Sequence, residues 1–257
     1  MNKEDIAKAL AAARVSGEYA AVDVTAIDQA EAAEDILAAA VVLYGGRRIG
    51  YKIGSTSEAA QKATGAPGPW FAPMVESDLS RDGTTLVWKK HYRGVECEFA
   101  FRIGETYPMF DTKPNPASLR QAVTACHLAL EVAGRRTEGE GLTRYPAVLA
   151  DFGAHCAFVL GPQVKNWDSQ DLAEVAVSGL RDGVVTNKGS GAAVMGGPLN
   201  SLLWLTERLA EQGLQLQEGD WVLTGTTMGI VVPEPGSTVT GDFGELGKVS
   251  VNFARES

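Results

Sequence analysis

The sequence predicts an α+β fold, with a β-rich core over residues 48–257 preceded by a small helical region over residues 1–47. Three observations carry this expectation. Residues 1 to about 45 hold two apolar-periodic segments and no strand signal. From residue 48 onward short alternating runs recur, and most of the 29 glycines fall among them, as turn-rich β structure requires. Two longer segments in this second part keep a helical period, so the core is mixed rather than all-β.

In chain order, IAKALAAAR puts Ile6, Leu10 and Ala13 on one helical face. After a short Tyr19–Asp23 stretch, DQAEAAEDILAAAVVLYGG begins a second helix at Asp28 and is stopped by Gly45-Gly46. The pair reads as a small cap or lid. RRIGYKIG is a short alternating strand with Ile49, Tyr51 and Ile53 on one side and Lys52 on the other. TSEAAQKATG suits a turn or two of helix, and TTLVWKK and YRGVECEFAFRIG are strands. SLRQAVTACHLALEVAGRR reads as an amphipathic helix, because Leu119, Val123, Cys126 and Leu130 recur at helical spacing. AHCAFVLG is the next strand. LAEVAVSGLRDGVVTNKG reads as a hairpin about Arg181-Asp182-Gly183, Asp-Gly being a tight-turn signal. PLNSLLWLTERLAEQG is a further helix, opened by Pro198 and closed by Gly213. The tail from Gly219 alternates strands with Gly-rich turns.

Lys and Arg total 23 against 32 Asp and Glu, a net charge of −9. With no compensating basic stripe, such a surface repels phosphate backbones and anionic membranes, so neither nucleic acid nor a membrane is an expected partner. An anionic substrate would need local positive help, from a metal or a buried lysine. Cys97, Cys126 and Cys156 show no CxxC spacing and read as free thiols in a reducing compartment. The first twenty residues mix acids and bases without an apolar run, unlike a signal peptide. A cytoplasmic location is the expectation.

VECEFAF is the sharpest chemical feature. In a strand, Glu96 and Glu98 share one face while Val95, Cys97 and Phe99 take the other. Same-face residues lie roughly 7 Å apart along a strand, close enough to share one cation. Either the two acids hold a hard divalent ion such as Mg²⁺, or they form a solvated sheet face; the apolar continuation through Ala100, Phe101 and Ile103 favours the first. Glu131, read at a helix C-terminus, opposes the helix dipole. It is explained by a metal or by a salt bridge to Arg135 or Arg136. His127, four residues earlier, reads as a core or surface histidine rather than a ligand. Lys52, flanked by Gly50, Tyr51, Ile53 and Gly54, either reaches water or serves as a buried cation able to bind a carboxylate or move a proton.

GYKIGSTS, VECEFAF and LALEVAGRR, in this order, resemble the fumarylacetoacetate hydrolase superfamily, and within it the 2-keto-4-pentenoate hydratase and 4-oxalocrotonate decarboxylase branch. The resemblance extends from about residue 48 through GGPLNSLLWL, GDWVLTG and FGELGKVSVNF. It implies a distorted β core, Glu96, Glu98 and Glu131 as metal ligands for Mg²⁺ or Mn²⁺, and Lys52 as the active-site lysine. It implies a small 2-oxo acid substrate and a homo-oligomer, with a complex with a pathway enzyme as a further expectation. A Glu as third ligand resembles the hydratase and decarboxylase branch, and the absence of a histidine before His91 speaks against carbon–carbon bond hydrolysis. Departures fall in the pocket: Ala150-Asp151-Phe152-Gly153-Ala154 stands where the branch often has Ala-Asp-Asn-Ala-Ser. The acid expected after the lysine strand is matched with Glu76 or Ser77. Thr224-Gly225-Thr226 resembles a substrate-contacting segment of the hydrolases, which assigns Thr226 to substrate, and Glu76 and Asp151 are the candidate proton shuttles. The implied activity is hydration of a 2-hydroxydienoate to a 4-hydroxy-2-oxo acid, with decarboxylation of a vinylogous 2-oxo diacid, carbon–carbon hydrolysis and a non-catalytic binding role as alternatives.

Overall fold

Capping chemistry sets the first elements of the structure, a computed structural model that describes residues 1–109 and 112–255. Helix α1 (Lys3–Ser16) starts where the Asn2 side chain accepts the Asp5 N–H, and ends at Gly17 in the left-handed conformation. Helix α2 (Ala30–Tyr44) ends at Gly45. The two helices pack together, and Ile6, Leu10, Ile36 and Leu37 join a core shared with Trp70, Ala72 and the 147–154 segment. Among the described residues, no helix is long and apolar enough to cross a membrane.

Strand β1 (Arg48–Gly54) follows, then α3 (Glu58–Thr64), capped by Ser57 and closed at Gly65. Next come β2 (Trp70–Val75), β3 (Leu79–Arg81), β4 (Thr85–Leu86) and the long β5 (Tyr92–Ile103). Helix α4 (Pro116–Ala122) runs directly into β6 (Val123–Gly134). After α5 (Ala147–Ala150) come β7 (His155–Gln163) and the hairpin β8 (Ala176–Arg181) and β9 (Val184–Ser190). Its turn places Asp182 and Gly183 at positive φ, as a primed two-residue turn demands. Helix α6 (Pro198–Glu211), β10 (Trp221–Leu223), β11 (Ile230–Val231), β12 (Thr238–Asp242) and β13 (Lys248–Phe253) complete the chain.

Among the described residues the strands form two sheets. In the larger, the order is β2-β1-β10-β5-β6-β7-β3, with β11 also paired to β5; in the smaller it is β4-β13-β12-β8-β9. Phe99, Phe101, Leu128, Leu130 and Val159 of the first meet Val177, Val239, Val249 and Val251 of the second in the main core. On β5, Val95, Cys97 and Phe99 point into that core, so Glu96 and Glu98 face the other way. This is the α+β architecture expected, with a β-rich core and helices at the N-terminus.

One segment departs from expectation. The helical period over residues 118–136 describes only its first turns; from Val123 the chain is a strand with almost every residue buried. A central strand covered on both faces is apolar without alternation, which periodicity does not separate from a helix. The strand expected over TTLVWKK is confined to Thr85–Leu86, while Trp88 turns aside to stack edge-on against Tyr92 and Phe253.

Candidate active site and metal centre

Register builds the acidic centre. Strands β5 and β6 are antiparallel with Glu96 opposite Glu131 and Glu98 opposite Ala129, so all three carboxylates share one sheet face. One oxygen from each lies within 4.8 Å of the others. Glu98 and Glu131 are fully buried. Small neighbours Ala100 and Ala129 on the same face leave them room.

Lys52 reaches this face from β1, which is held one strand away by parallel pairing to β10: Lys52 is opposite Leu223, and Leu223 opposite Ala100 of β5. Its ammonium lies 3.1 Å from Glu131 Oε2, donates to the Gly153 carbonyl at 3.2 Å, and sits 4.7 Å from the centre of the Trp70 ring. The Trp70 indole N–H is satisfied by Ser55 Oγ.

The loop between β10 and β11 bridges the edge of β5. Thr224 and Thr227 hydroxyls donate to the carbonyls of Phe99 and Cys97, and the Gly225 N–H donates to Glu98 Oε2 at 2.6 Å. Gly225 has φ +107°, and a Cβ there would lie 2.4 Å from Thr56 Oγ1, so glycine is needed for this approach. Thr226 lies in the same loop beside Glu98's amide donor, and its hydroxyl donates to the Gly229 carbonyl.

Burial, followed by the charge of Glu131, pushes Glu96 up to about 8; burial and its two carboxylate neighbours drive Glu98 well above the ordinary range. Burial opposes ionisation of Glu131 as well, but Lys52 and the hydrogen bond from His155 outweigh it and hold Glu131 down at about 2. Burial likewise works against the Lys52 ammonium, and the three glutamates overcome it, raising its pKa. Were all three carboxylates ionised, one ammonium would leave two negative charges uncompensated, which is why Glu96 and Glu98 resist ionising, and among the described residues Glu98 Oε1 has no hydrogen-bond partner. A hard divalent cation cancels that excess and takes oxygen ligands of this kind, so the donor set fits one.

The remaining sequence candidates divide. Glu76 does not reach the cluster: it is solvent-exposed and paired with Arg47 at 2.7 Å. The acid of this loop that turns inward is Asp78, which accepts from Arg14 at 2.7 Å and from Tyr44 at 3.1 Å and lies 3.7 Å from His155 Nε2. Asp151 is buried but clamped to Arg136, accepting from its backbone N–H at 2.8 Å and its guanidinium at 2.9 Å. Arg136 also donates to the carbonyls of Asp151 and His155, so it fixes the segment that follows. In that segment Phe152, Gly153 and Ala154 all adopt positive φ. This conformation is costly for residues with a Cβ. It aims the Gly153 carbonyl at Lys52 and delivers His155, whose Nδ1 donates to Glu131 Oε1 at 2.7 Å.

Neither Arg135 nor Arg136 bonds Glu131; Arg135 donates to Thr137 and the Glu140 carbonyl instead. His127 is structural, bonded to the Gly161 carbonyl and set edge-to-face against Trp221. Sequence reasoning missed His155 and Asp78. His155 opens a strand after an irregular turn, and no local spacing ties it to Glu131, 24 residues away.

A two-sheet core carries three clustered carboxylates beside a buried lysine, a donor set that fits a divalent cation. Residues 50–254 match the fumarylacetoacetate (FAA) hydrolase C-terminal family, and the chain belongs to that family. It is 32% identical to a 2-keto-4-pentenoate hydratase of Burkholderia vietnamiensis over 81% of this chain and 79% of that protein. It is 28% identical to a 4-oxalocrotonate decarboxylase of Pseudomonas putida over 81% and 78% of the two chains. The solved structure of 4-oxalocrotonate decarboxylase from Pseudomonas putida G7, complexed with magnesium and adipate, superposes with a TM-score of 0.87 at 23% identity, covering 98% of this chain and 97% of that one.

Proposed function

We propose that the protein is a lyase of the 2-keto-4-pentenoate hydratase type, using Mg²⁺ or Mn²⁺ held by Glu96, Glu98 and Glu131. The observation that carries the reading is the carboxylate triplet, two of its members fully buried, with Lys52 at 3.1 Å from Glu131, in a chain about 30% identical to named hydratases over most of its length. The bound cation would supply Lewis acidity toward the carboxylate and 2-oxo oxygens of a small 2-oxo acid. Lys52 keeps a proton at Nζ on the wall of the site, where it balances negative charge on a bound anion and serves as the nearest proton donor during tautomerisation. For 2-hydroxypenta-2,4-dienoate, the enol proton is lost and C5 gains one. Water oxygen then joins C4 and a proton joins C3, giving 4-hydroxy-2-oxopentanoate. Thr226 borders the site from the β10–β11 loop. Asp151 supports the reaction by holding Arg136 and the turn that presents Gly153, and Glu76 has no part in it.

The test is loss of dienol absorbance with Mg²⁺ or Mn²⁺ present, comparing the wild type with Glu98→Gln. Metal-dependent turnover to 4-hydroxy-2-oxopentanoate, abolished in the variant, supports the reading. Bound metal without turnover sinks the substrate assignment. Decarboxylation is the second reading, supported by the relative of that activity. It runs through the same type of enolate and is recognised by release of carbon dioxide from 4-oxalocrotonate.

A further inference from the structure

The N-terminal helices approach the acidic centre through a line of ionisable groups, buried from Glu131 to Arg14. Glu131 Oε2 faces Lys52, and its other oxygen is taken by His155 Nδ1 at 2.7 Å. Among the described residues the opposite ring nitrogen of His155 has no hydrogen-bond partner, and it faces Asp78 Oδ2 at 3.7 Å. Asp78 is gripped from both helices, by Arg14 of α1 and Tyr44 of α2. Arg14 is itself 3% exposed and lies 4.6 Å and 4.3 Å from the ring centres of Tyr44 and Phe152.

A carboxylate on a strand can rotate about its side-chain torsions, and Lys52 holds only one oxygen of Glu131. Pinning Oε1 from the far side leaves Oε2 one direction in which to point. A ring held at only one nitrogen could tilt; the Asp78 carboxylate opposite Nε2 and the Arg136 donation to the His155 carbonyl limit that freedom. Outer partners of this type orient metal ligands and strongly affect affinity.

We propose that His155 is the positioning residue for Glu131, and that Asp78, Arg14 and Tyr44 carry this positioning from the helices, making α1 and α2 part of the scaffold of the cation site. The inference rests on the metal reading given above.

The amide nitrogen of asparagine falls near the position of histidine Nδ1, and that of glutamine near Nε2. Titration of the full-length protein with Mn²⁺, followed by calorimetry or by the electron paramagnetic resonance of free ion, therefore separates the two ends of the ring. His155→Asn is expected to bind Mn²⁺ within about threefold of wild type, and His155→Gln about 10–100-fold more weakly. Melting temperatures in chelator control for general destabilisation, which would affect both variants alike. Arg14→Met is expected to weaken Mn²⁺ binding about tenfold or more. Should it fail to fold, Tyr44→Phe tests the same link with a smaller loss. Equal Mn²⁺ affinities for the Asn and Gln variants, with the wild type binding normally, overturn the positioning role alone. Wild-type affinity in a folded Arg14→Met and in Tyr44→Phe overturns the part given to the helices. A wild type that binds no Mn²⁺ overturns the metal reading itself.

Discussion

Cation binding at this centre should expel protons. In the metal-free protein Glu96 is pushed up to about 8 and Glu98 well above the ordinary range, burial leading in both cases, while Glu131 is already ionised beside Lys52 and His155. At pH 7 Glu96 is then about nine-tenths protonated, so a divalent ion must displace close to one proton from Glu96, and the upward shift of Glu98 acts in the same direction. The proton displaced from Glu96 weakens binding roughly tenfold per pH unit below 8, so Kd for Mn²⁺ should rise about tenfold or more between pH 7 and pH 6. The dependence should ease above pH 8 as Glu96 ionises unaided. Calorimetric titrations at pH 6, 7 and 8, each in two buffers of different ionisation enthalpy, count the protons directly. Binding without proton release, and with Kd unchanged across this range, would refute the electrostatic account. The same groups set the pH response of the metal-free fold. Because the folded Glu96 holds its proton up to about 8 and the unfolded chain releases it near 4.5, stability is lost as pH rises between these values. Saturating Mn²⁺ should remove that loss, as thermal melts would show.

Lys52→Met should lower turnover by about 10²–10⁴-fold while leaving Mn²⁺ affinity equal or tighter, since one positive charge 3.1 Å from Glu131 is removed. Parallel loss of metal and turnover would make the lysine a structural counter-charge instead. Gly225→Ala should weaken Mn²⁺ binding about tenfold, because a Cβ 2.4 Å from Thr56 Oγ1 displaces the N–H that holds Glu98; unchanged affinity would show that the loop yields freely. Glu76→Ala should leave kcat/KM within about twofold and the melting temperature unchanged, its one partner being an exposed arginine. Asp151→Asn should destabilise the fold by about 3–5 kcal/mol in denaturant titrations by leaving the buried Arg136 without its counter-charge; a neutral result would contradict the clamp.

Strand β5 was legible because its acids alternate with residues bound for the core, and a period of two has one reading. Strand β6 was not. Thr124-Ala-Cys-His-Leu-Ala-Leu-Glu-Val carries no alternation since both of its faces are covered, and a true helical turn precedes it. Glu131 was nonetheless placed with Glu96 and Glu98 through the family resemblance, although the helix-dipole argument attached to it does not apply on a strand. The inward acid was misplaced by two residues, from Glu76 to Asp78. That loop forms a short 3₁₀ turn, which rotates successive side chains to different sides, and composition does not reveal which one faces inward. Arg14 carries no local sign of its role, because its burial depends on Asp78, Tyr44 and Phe152, all distant in sequence.

The eight-stranded sheet is continuous only because three residues, Trp221 to Leu223, lie between β1 and β5. Lys52 stands on one side of that seam and all three carboxylates on the other. Fraying of β10 would therefore take the centre apart into a lysine half and an acid half, while the β5–β6–β7 ladder stayed intact. Synthesis meets the same seam in reverse, because the keystone strand leaves the ribosome after both of its neighbours. A nascent chain arrested before residue 221 would present two unpaired edges, at β1 and β5, each a template for pairing with another chain. Variants that loosen this seam should fail first by self-association, and only afterwards by loss of chemistry.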